Sequence, residues 1–192
     1  LIQETQTRLE RVLSRAANIE GILPDRDRLT QWKQTLESVQ LDELVRDASA
    51  LIPTELGEII SVTTEPSVAE VGRIKTHRIS LLHVVSNLMI NAAESVERSD
   101  SLSGKVNVRA YVEEVDDLPM VHLEIRDTGK GIDLGDLDRI FERGFTTKRE
   151  GSAGIGLHWC ANTIGAMNGR LYAESEGSGY GACFHLMLPI TP

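Results

Sequence analysis

The sequence is most informative at residues 121–131, which read VHLEIRDTGKG. Val121, Leu123 and Ile125 alternate with polar residues, a pattern that predicts a half-buried β-strand. Asp127 has the same parity as these apolar residues, so its carboxylate is predicted to point toward the buried side of the sheet. A buried carboxylate needs hydrogen-bond donors, and the exocyclic amine of an adenine ring would serve. The alternative is a strand end followed by an ordinary Asx-type turn.

A long apolar helix is predicted before this strand, at about residues 78–98. One face of that helix carries the apolar side chains of Leu81, Leu82, Val85, Leu88, Met89, Ala92 and Val96. The opposite face carries His83, Asn87, Asn91 and Glu94. Asn is unfavourable inside a helix because its amide competes for backbone hydrogen bonds, so two of them one turn apart need a reason. An Asn carbonyl oxygen can bind Mg²⁺, and a solvated polar stripe is the alternative.

Two glycine-containing segments follow the predicted strand. Residues 151–157, GSAGIGL, lead into a helix that is predicted to end near Met167, and small residues before a helix N-terminus favour an anion site. A mobile glycine loop is the alternative. Residues 140–148, IFERGFTTK, suit a lid that closes on phosphates, or an ordinary loop held by Phe141 and Phe145. Neither segment is a Walker A loop or a dinucleotide fingerprint.

The remaining pattern gives the organisation of the chain. Helices are predicted at about 41–51, 78–98 and 156–167, and strands at about 58–64, 106–112, 121–125, 170–175 and 182–188. Without a regular βαβ order, this mixture predicts an α+β fold with one layer of helices on a sheet. Three segments are predicted along the chain: an amphipathic helix at 1–23, a polar linker at 24–40 and a main domain at 41–192.

Composition limits the possible functions. The chain has 192 residues, of which 41% are hydrophobic and 26% charged, as in ordinary globular proteins. Its net charge of −9 argues against a nucleic-acid partner, which would require a basic face. No stretch approaches about 18 unbroken apolar residues, so no membrane span is predicted. The two cysteines suggest neither a disulfide framework nor a zinc site, and a cytoplasmic setting is expected.

The order of these segments makes a family resemblance specific. Four motifs resemble, in the same order, the conserved boxes of sensor histidine kinases. Asn87 and Asn91 resemble the N box, residues 127–131 the G1 box, residues 141–148 the F box and residues 154–157 the G2 box. These kinases share a superfamily with gyrase, MutL and the ninety-kilodalton heat-shock chaperone. The resemblance implies a two-layer α/β sandwich of the Bergerat type, in which a mixed sheet packs against three helices, preceded by an N-terminal helix. Residues 1–23 resemble the second helix of the family's dimerisation and phosphoacceptor hairpin.

The resemblance also implies roles for individual residues. It makes Asn91 the Mg²⁺ ligand, Asp127 the residue that reads adenine, and Asn87 and Lys148 participants in catalysis. The implied ATP-binding set is Asn87, Asn91, Asp127, Gly129, Gly131, Ile132, Thr146, Thr147, Lys148, Gly154, Ile155, Gly156 and Leu157. The sequence departs from the family at Glu94, where many members have Lys, and at Ala153 and Ala182, where Thr is common.

The implied function is transfer of the ATP γ-phosphoryl group to a histidine in a two-component system. The implied partners are the phosphoacceptor hairpin, a response regulator receiver domain and a second copy of the full-length protein. None of the five histidines lies in an acceptor context, so the chain is expected to be a piece of a longer protein, whose membrane attachment is left open. Gyrase-like hydrolysis is disfavoured, because an amide at Asn87 cannot accept a proton. A degenerate nucleotide-binding module remains the alternative.

Overall fold

Five strands form a mixed sheet in the computed structural model, which describes residues 36–99, 101–148 and 153–190. In spatial order they are β2 (Ile60–Thr64), β4 (Gly104–Val115), β5 (Leu118–Asp127), β7 (Cys183–Pro189) and β6 (Arg170–Glu174). The β2–β4 pair is parallel and the other three pairs are antiparallel. This arrangement puts β5, and therefore Asp127 at its end, in the centre of the sheet.

Helices and a small strand pair complete the described part of the chain. The helices are α1 (Leu41–Ser49), α2 (Thr54–Gly57), α3 (Pro66–Val71), α4 (Arg78–Glu97) and α5 (Gly156–Ala166). The pair consists of β1 (Glu37–Gln40) and β3 (Arg73–Thr76), which run antiparallel. The long helices α1, α4 and α5 lie on the same side of the sheet, and α4 contacts α1, α5, β4 and β5.

The hydrophobic core lies between α4 and the inner face of the sheet. Val108 of β4 and Ile125 of β5 are fully buried there, as are Leu88 and Met89 of α4. Each large aliphatic side chain buried in this way contributes about 1.5–3 kcal/mol. Helix α4 is the one described helix whose length and mean hydropathy of 1.2 would suit a membrane span. It is mostly buried inside the protein, as expected of a core helix.

The predicted fold class is confirmed, and several local predictions are corrected. The last four residues of the predicted linker, 37–40, form β1, because pairing with β3 more than 30 residues away stabilises them. The short elements α2, α3 and β3 were also missed, since four to six residues carry too little periodicity to be recognised. The predicted helix at 1–23 and most of the linker lie outside the described residues.

The hairpin that positions Asp127 is longer than predicted. Strands β4 and β5 extend over twelve and ten residues and are joined at Asp116 and Asp117. Both aspartates have positive φ, of 52° and 64°, as the mirror-image turns of two-residue hairpins require. The register pairs Val106 with Asp127, so the carboxylate ends the inner apolar row.

Candidate functional site

The polar face of α4 forms one wall of the candidate site. Asn87, Asn91 and Glu94 are half-buried along it, rather than solvated as a surface stripe would be. The amide Nδ2 of Asn91 donates a hydrogen bond to Oδ1 of Asn87 at 3.0 Å. This bond fixes the orientation of the Asn91 amide and leaves its Oδ1 available to a cation.

A lysine from the loop before α5 reaches this wall. The ammonium Nζ of Lys148 donates to Oδ1 of Asn91 at 3.3 Å and also forms an ion pair with Oε2 of Glu94. Two oxygens from neighbouring turns of α4 therefore surround one positive charge. Such hard oxygen donors are the ligands that Mg²⁺ prefers, so Asn91 and Glu94 fit a divalent cation as well as an ammonium.

The carboxylate of Asp127 lies at the other end of the site and is 3% exposed. Its Oδ1 accepts a hydrogen bond from the backbone N–H of Gly129 at 2.8 Å, which is the Asx-type turn foreseen as the alternative. Its Oδ2 is buried and has no hydrogen-bond partner among the described residues. Burial raises the pKa of this carboxyl above its ordinary 3.8, and the Gly129 hydrogen bond, with the polar groups of Ser95 and Ala182, offsets that effect only in part. A buried acceptor of this kind is a place for a ligand's donor.

The glycines after Asp127 bring the chain close to its own neighbours. A Cβ on Gly129 would overlap the backbone of Ser95 in the last full turn of α4, to which Lys130 N–H donates at 2.9 Å. Gly131 has a φ of +74°, and a Cβ there would overlap the carbonyl of Gly177. The structure therefore requires both glycines for chain packing, and their predicted place in the ATP-binding set stays a prediction.

The N-terminus of α5 lies directly against the polar face of α4. Gly156 is its first residue, and a Cβ there would come within 2.8 Å of Nδ2 of Asn87. No side chain caps this helix among the described residues, so the N–H groups of its first turn are available to an anion. Gly154 has a φ of +66° and accepts a hydrogen bond from Gly144 N–H at 3.0 Å, which joins the two ends of the segment between them.

The described part of the predicted lid is held by its aromatic residues. Phe141 and Phe145 are partly buried against the core, and the guanidinium of Arg139 lies 4.8 Å from the Phe145 ring centroid. Thr146 accepts a hydrogen bond from Lys148 N–H at 3.1 Å, and both Thr146 and Thr147 are exposed. Residues 149–152 lie outside the described residues, so the closing motion of a lid stays a prediction.

The structure brings most of the predicted residues together around one helix. Three side chains are spaced four residues apart on α4. Asn87 lies against the start of α5, Asn91 contacts Lys148, and Ser95 lies against the backbone of residues 129–130. The N–H of Ile132 donates to Ser175 Oγ at 3.1 Å. Ser95 was missed, although its spacing of four from Asn91 could have identified it. The pairing of Glu94 with Lys148 was also missed, and no local pattern indicates it.

The sequence of the chain matches a known protein family and several known relatives. Residues 76–192 match the model of the histidine kinase-, DNA gyrase B-, and HSP90-like ATPase family. The chain is 33% identical over 167 residues to the signal transduction histidine-protein kinase AtoS of Escherichia coli K12, covering 87% of this chain and 25% of AtoS. It is 29% identical over 160 residues to the alginate biosynthesis sensor protein KinB of Pseudomonas aeruginosa, covering 82% and 25%. The chain thus spans about a quarter of these relatives.

Solved structures share the fold. A crystal structure of full-length ShkA in complex with AMPPNP superimposes with a TM-score of 0.68 at 24% identity, covering 83% of this chain and 32% of ShkA. The catalytic domain of histidine kinase ThkA gives 0.66 at 24% identity, covering 82% and 97%. The resemblance inferred from the sequence is confirmed. The chain therefore belongs to the histidine kinase-, DNA gyrase B-, and HSP90-like ATPase family, and carries an ATP-binding catalytic domain of the sensor histidine kinase type.

Proposed function

We propose that this chain binds Mg·ATP along the polar face of α4 and transfers the γ-phosphoryl group to a histidine outside the chain. The proposal rests on two sets of polar groups, one at each end of this face. A buried oxygen of Asp127 lacks a donor at one end, and oxygens of Asn91 and Glu94 hold a cation at the other. The first group suits an adenine amine, and the second suits a metal-bound phosphate chain.

Each residue then has a definite task. Oδ2 of Asp127 accepts a hydrogen bond from the exocyclic amine of adenine, and Oδ1 of Asn91 is an oxygen ligand for the metal. The N–H groups at the start of α5 donate hydrogen bonds to phosphate oxygens. Mg²⁺, when bound, neutralises negative charge on the phosphates. Asn87 is a positioning residue, because it acts by orienting the amide of Asn91.

The pairing of Lys148 with Glu94 accounts for one departure from the family pattern. Many members have Lys where this chain has Glu94, so a cation near the phosphates is missing from the helix. Lys148 brings an ammonium group to the same position from the loop, 54 residues further along the chain. On ATP binding, Lys148 exchanges the Glu94 carboxylate for phosphate oxygens, which leaves the site with a cation and disfavours the degenerate module.

The site favours transfer over hydrolysis. A hydrolytic enzyme needs a general base to take a proton from water, and the residue one turn before Asn91 is an amide that is already hydrogen-bonded. Phosphoryl transfer to a protein histidine relies mainly on positioning and charge neutralisation. The arrangement of Asn87 and Asn91 therefore supports a kinase rather than an ATPase.

The five histidines of this chain are unsuited as acceptors. His83 packs on the ring of Trp159 at 4.4 Å, and His158 bonds to the carbonyl of Phe141 at 3.0 Å. His122 and His185 are buried in strands, and His77 precedes the first turn of α4. The proposed acceptor therefore belongs to a dimerisation hairpin of the complete protein. The further proposed partners are a response regulator receiver domain and a second copy of that protein.

The proposal is tested first on the chain alone with γ-labelled ATP. We expect nucleotide binding with no labelling of the chain and no steady release of phosphate, because none of the five histidines is a suitable acceptor and the residue one turn before Asn91 is an amide, which cannot act as a general base. Calorimetry measures the binding, and gel autoradiography with a phosphate assay measures the reaction. Label on one of the five histidines would refute the proposed location of the acceptor, and steady phosphate release would favour an ATPase.

Substituting Gly156 tests the contact between α5 and α4. In Gly156→Ala the new methyl group meets the Asn87 amide at 2.8 Å, so either the amide or the helix must shift. We expect ATP affinity to fall by about 10-fold while the fold is kept, since one phosphate contact of roughly 1.4 kcal/mol is displaced. Calorimetry with Mg·ATP and circular dichroism measure the two effects.

Gly165→Ala is the matched control for this substitution. Gly165 lies in the same helix, and a Cβ there has no atom within 4 Å. We expect it to stabilise α5 by about 0.5–1 kcal/mol and to leave ATP affinity unchanged. Equal ATP affinity in both variants would show that the α5 N-terminus takes no part in binding.

A further inference from the structure

A cluster of buried polar side chains lies on the outer face of the sheet, away from the helices. His122 and Glu124 alternate with the inward-facing Leu123 on β5, so both point outward, and the register places His185 of β7 opposite Glu124. The three outward-facing residues are only 3–5% exposed. The cluster is therefore separated by the sheet itself from the candidate nucleotide site, and the proposed function does not use it.

The ligand atoms of this cluster are close enough to share one ion. Nε2 of His122 lies 3.0 Å from Nδ1 of His185, and that Nδ1 lies 3.8 Å from Oε1 of Glu124. The potential donor atoms of the three residues all lie within 4.8 Å of one another. Tetrahedral Zn²⁺ with bonds of about 2.0–2.1 Å separates its ligand atoms by roughly 3.3 Å. The two imidazole nitrogens are thus within a few tenths of an ångström of that spacing, and rotation of the Glu124 side chain by up to about 1.5 Å would complete the metal site.

A carboxylate lies behind each of the two histidines. Oε1 of Glu113 lies 2.6 Å from Nδ1 of His122, and Oε2 of Glu174 lies 3.4 Å from Nε2 of His185, which is buried and makes no hydrogen bond among the described residues. Metal-bound histidines commonly donate their second N–H to such a carboxylate, which sets the tautomer and aims the other nitrogen at the metal. Here the nitrogens left over, Nε2 of His122 and Nδ1 of His185, are the pair that face each other.

Two tyrosine rings pack against the histidine rings of the cluster. The Tyr111 ring lies 4.7 Å from the His122 ring, and the Tyr172 ring stacks on His185 at 4.5 Å with an interplanar angle of 5°. Both tyrosines are 37–38% exposed, so the cluster lies one side chain below the surface. An ion can therefore reach it without opening the core.

Glu124 has partners that a metal would have to displace in part. Arg109 binds it through Nε at 2.5 Å and Nη2 at 3.0 Å, and the Tyr111 hydroxyl donates to Oε1 at 3.1 Å. The Arg109 side chain is 51% exposed, so it has room to turn into solvent when a dication takes over its charge beside Glu124. Three carboxylates, those of Glu113, Glu124 and Glu174, surround the two histidines, so a dication suits the local charge.

We propose that His122, Glu124 and His185 form a binding site for a transition-metal dication of the Zn²⁺ class on the outer face of the sheet. Two imidazoles and one carboxylate are ligands that Zn²⁺, Co²⁺ and Ni²⁺ accept, whereas Mg²⁺ prefers oxygen ligands alone. The site is separate from the one proposed for Mg·ATP. Either proposal can therefore fail without the other.

The test is metal titration of the full chain, free of any affinity tag, chelator-treated and without nucleotide, because ATP would itself bind the metal. We expect Zn²⁺ to bind at one site per chain in calorimetry, and Co²⁺ to give the intense visible bands of a low-symmetry tetrahedral site. His122→Gln and His185→Gln should each weaken Zn²⁺ binding by about 100-fold or more. Glu113→Gln, which removes only the carboxylate behind His122, should weaken it by about 10-fold.

His77→Gln and His158→Gln are the matched controls, since both histidines lie outside the cluster. They should bind Zn²⁺ like the unaltered chain. The proposal is overturned if the unaltered chain binds no Zn²⁺ more tightly than about 1 mM, or if the control variants lose as much affinity as the cluster variants. Should the buried histidine variants fail to fold, Glu113→Gln and the Co²⁺ spectrum of the unaltered chain decide the question: wild-type affinity and no tetrahedral bands would refute the site.

Discussion

Asn91→Ala is expected to lower phosphoryl transfer by about 100-fold or more, and to weaken ATP binding mainly when Mg²⁺ is present. Removing one preorganised group that stabilises charge in a reaction costs about that much. The dependence on Mg²⁺ follows because the lost group is Oδ1 of Asn91, the proposed metal ligand. The Asn87 hydrogen bond orients the amide that carries this oxygen, and the Lys148 ammonium contacts it. Calorimetry with ATP in Mg²⁺ and in EDTA, together with the transfer rate, measures the effect.

Two further variants are the controls for Asn91→Ala. Asn87→Ala should be milder, because it frees the Asn91 amide without removing its oxygen. Asn162→Ala should have no effect, since Asn162 is an exposed helical asparagine that bonds only to His158 among the described residues. An equal loss of ATP affinity for Asn91→Ala in EDTA would show that Asn91 is structural and binds no metal.

Asp127→Asn is expected to weaken ATP binding by about 10–100-fold, or roughly 1.5–3 kcal/mol for a lost charge-assisted hydrogen bond. It should also narrow the preference for ATP over GTP. The reason is that guanine presents a carbonyl oxygen where adenine has its amine, and an amide can donate to that oxygen whereas a carboxylate cannot. Calorimetry with ATP, ADP and GTP checks both effects.

The same substitution should stabilise the nucleotide-free chain at neutral pH. Burial raises the pKa of the Asp127 carboxyl above 3.8, so the folded chain holds that proton more tightly than the unfolded chain does. The free energy of unfolding therefore falls as the pH rises through the raised pKa. Asp127→Asn has no carboxyl group to ionise at this position, so it does not undergo that fall. Thermal unfolding should show the variant above the unaltered chain near pH 7, with the difference closing toward pH 4.

Asp133→Asn is the control for the effect on ATP binding. Asp133 forms the same kind of turn, in which its Oδ1 accepts from Gly135 N–H at 3.0 Å, but it is exposed. It should leave ATP affinity unchanged. If Asp127→Asn binds ATP like the unaltered chain and is less stable at every pH, then Asp127 is structural and reads no base.

Much of this fold could be predicted because its central elements have long, regular patterns. The alternation of Val121, Leu123 and Ile125 located β5, and the helical spacing of Asn87 and Asn91 located the polar face of α4. The pair β1–β3 could not be predicted, since strands of four residues owe their stability to each other. Local sequence carries no information about such a distant partner.

The candidate site could also be predicted in part from the sequence. Residue types and spacing indicated Asp127, Asn91 and the glycines, but not what the glycines pack against, because a glycine needed for chain packing and one needed for a ligand look alike in a sequence. The Lys148–Glu94 pair and the meeting of His122 with His185 arise between residues more than 50 positions apart. Strand register and loop course decide such contacts, and neither can be deduced from local periodicity.

Phosphoryl transfer from γ-labelled ATP to a dimerisation hairpin supplied in trans is the most direct measurement of the proposed kinase activity. If this chain is the catalytic domain of a histidine kinase, the hairpin acquires label that is labile in acid and stable in alkali. That label should appear only when the chain, Mg²⁺ and ATP are all present, and Asn91→Ala should nearly abolish it. ATP binding without any labelled hairpin would show that the chain transfers no phosphoryl group, and equal labelling by Asn91→Ala would show that Asn91 takes no part in the transfer.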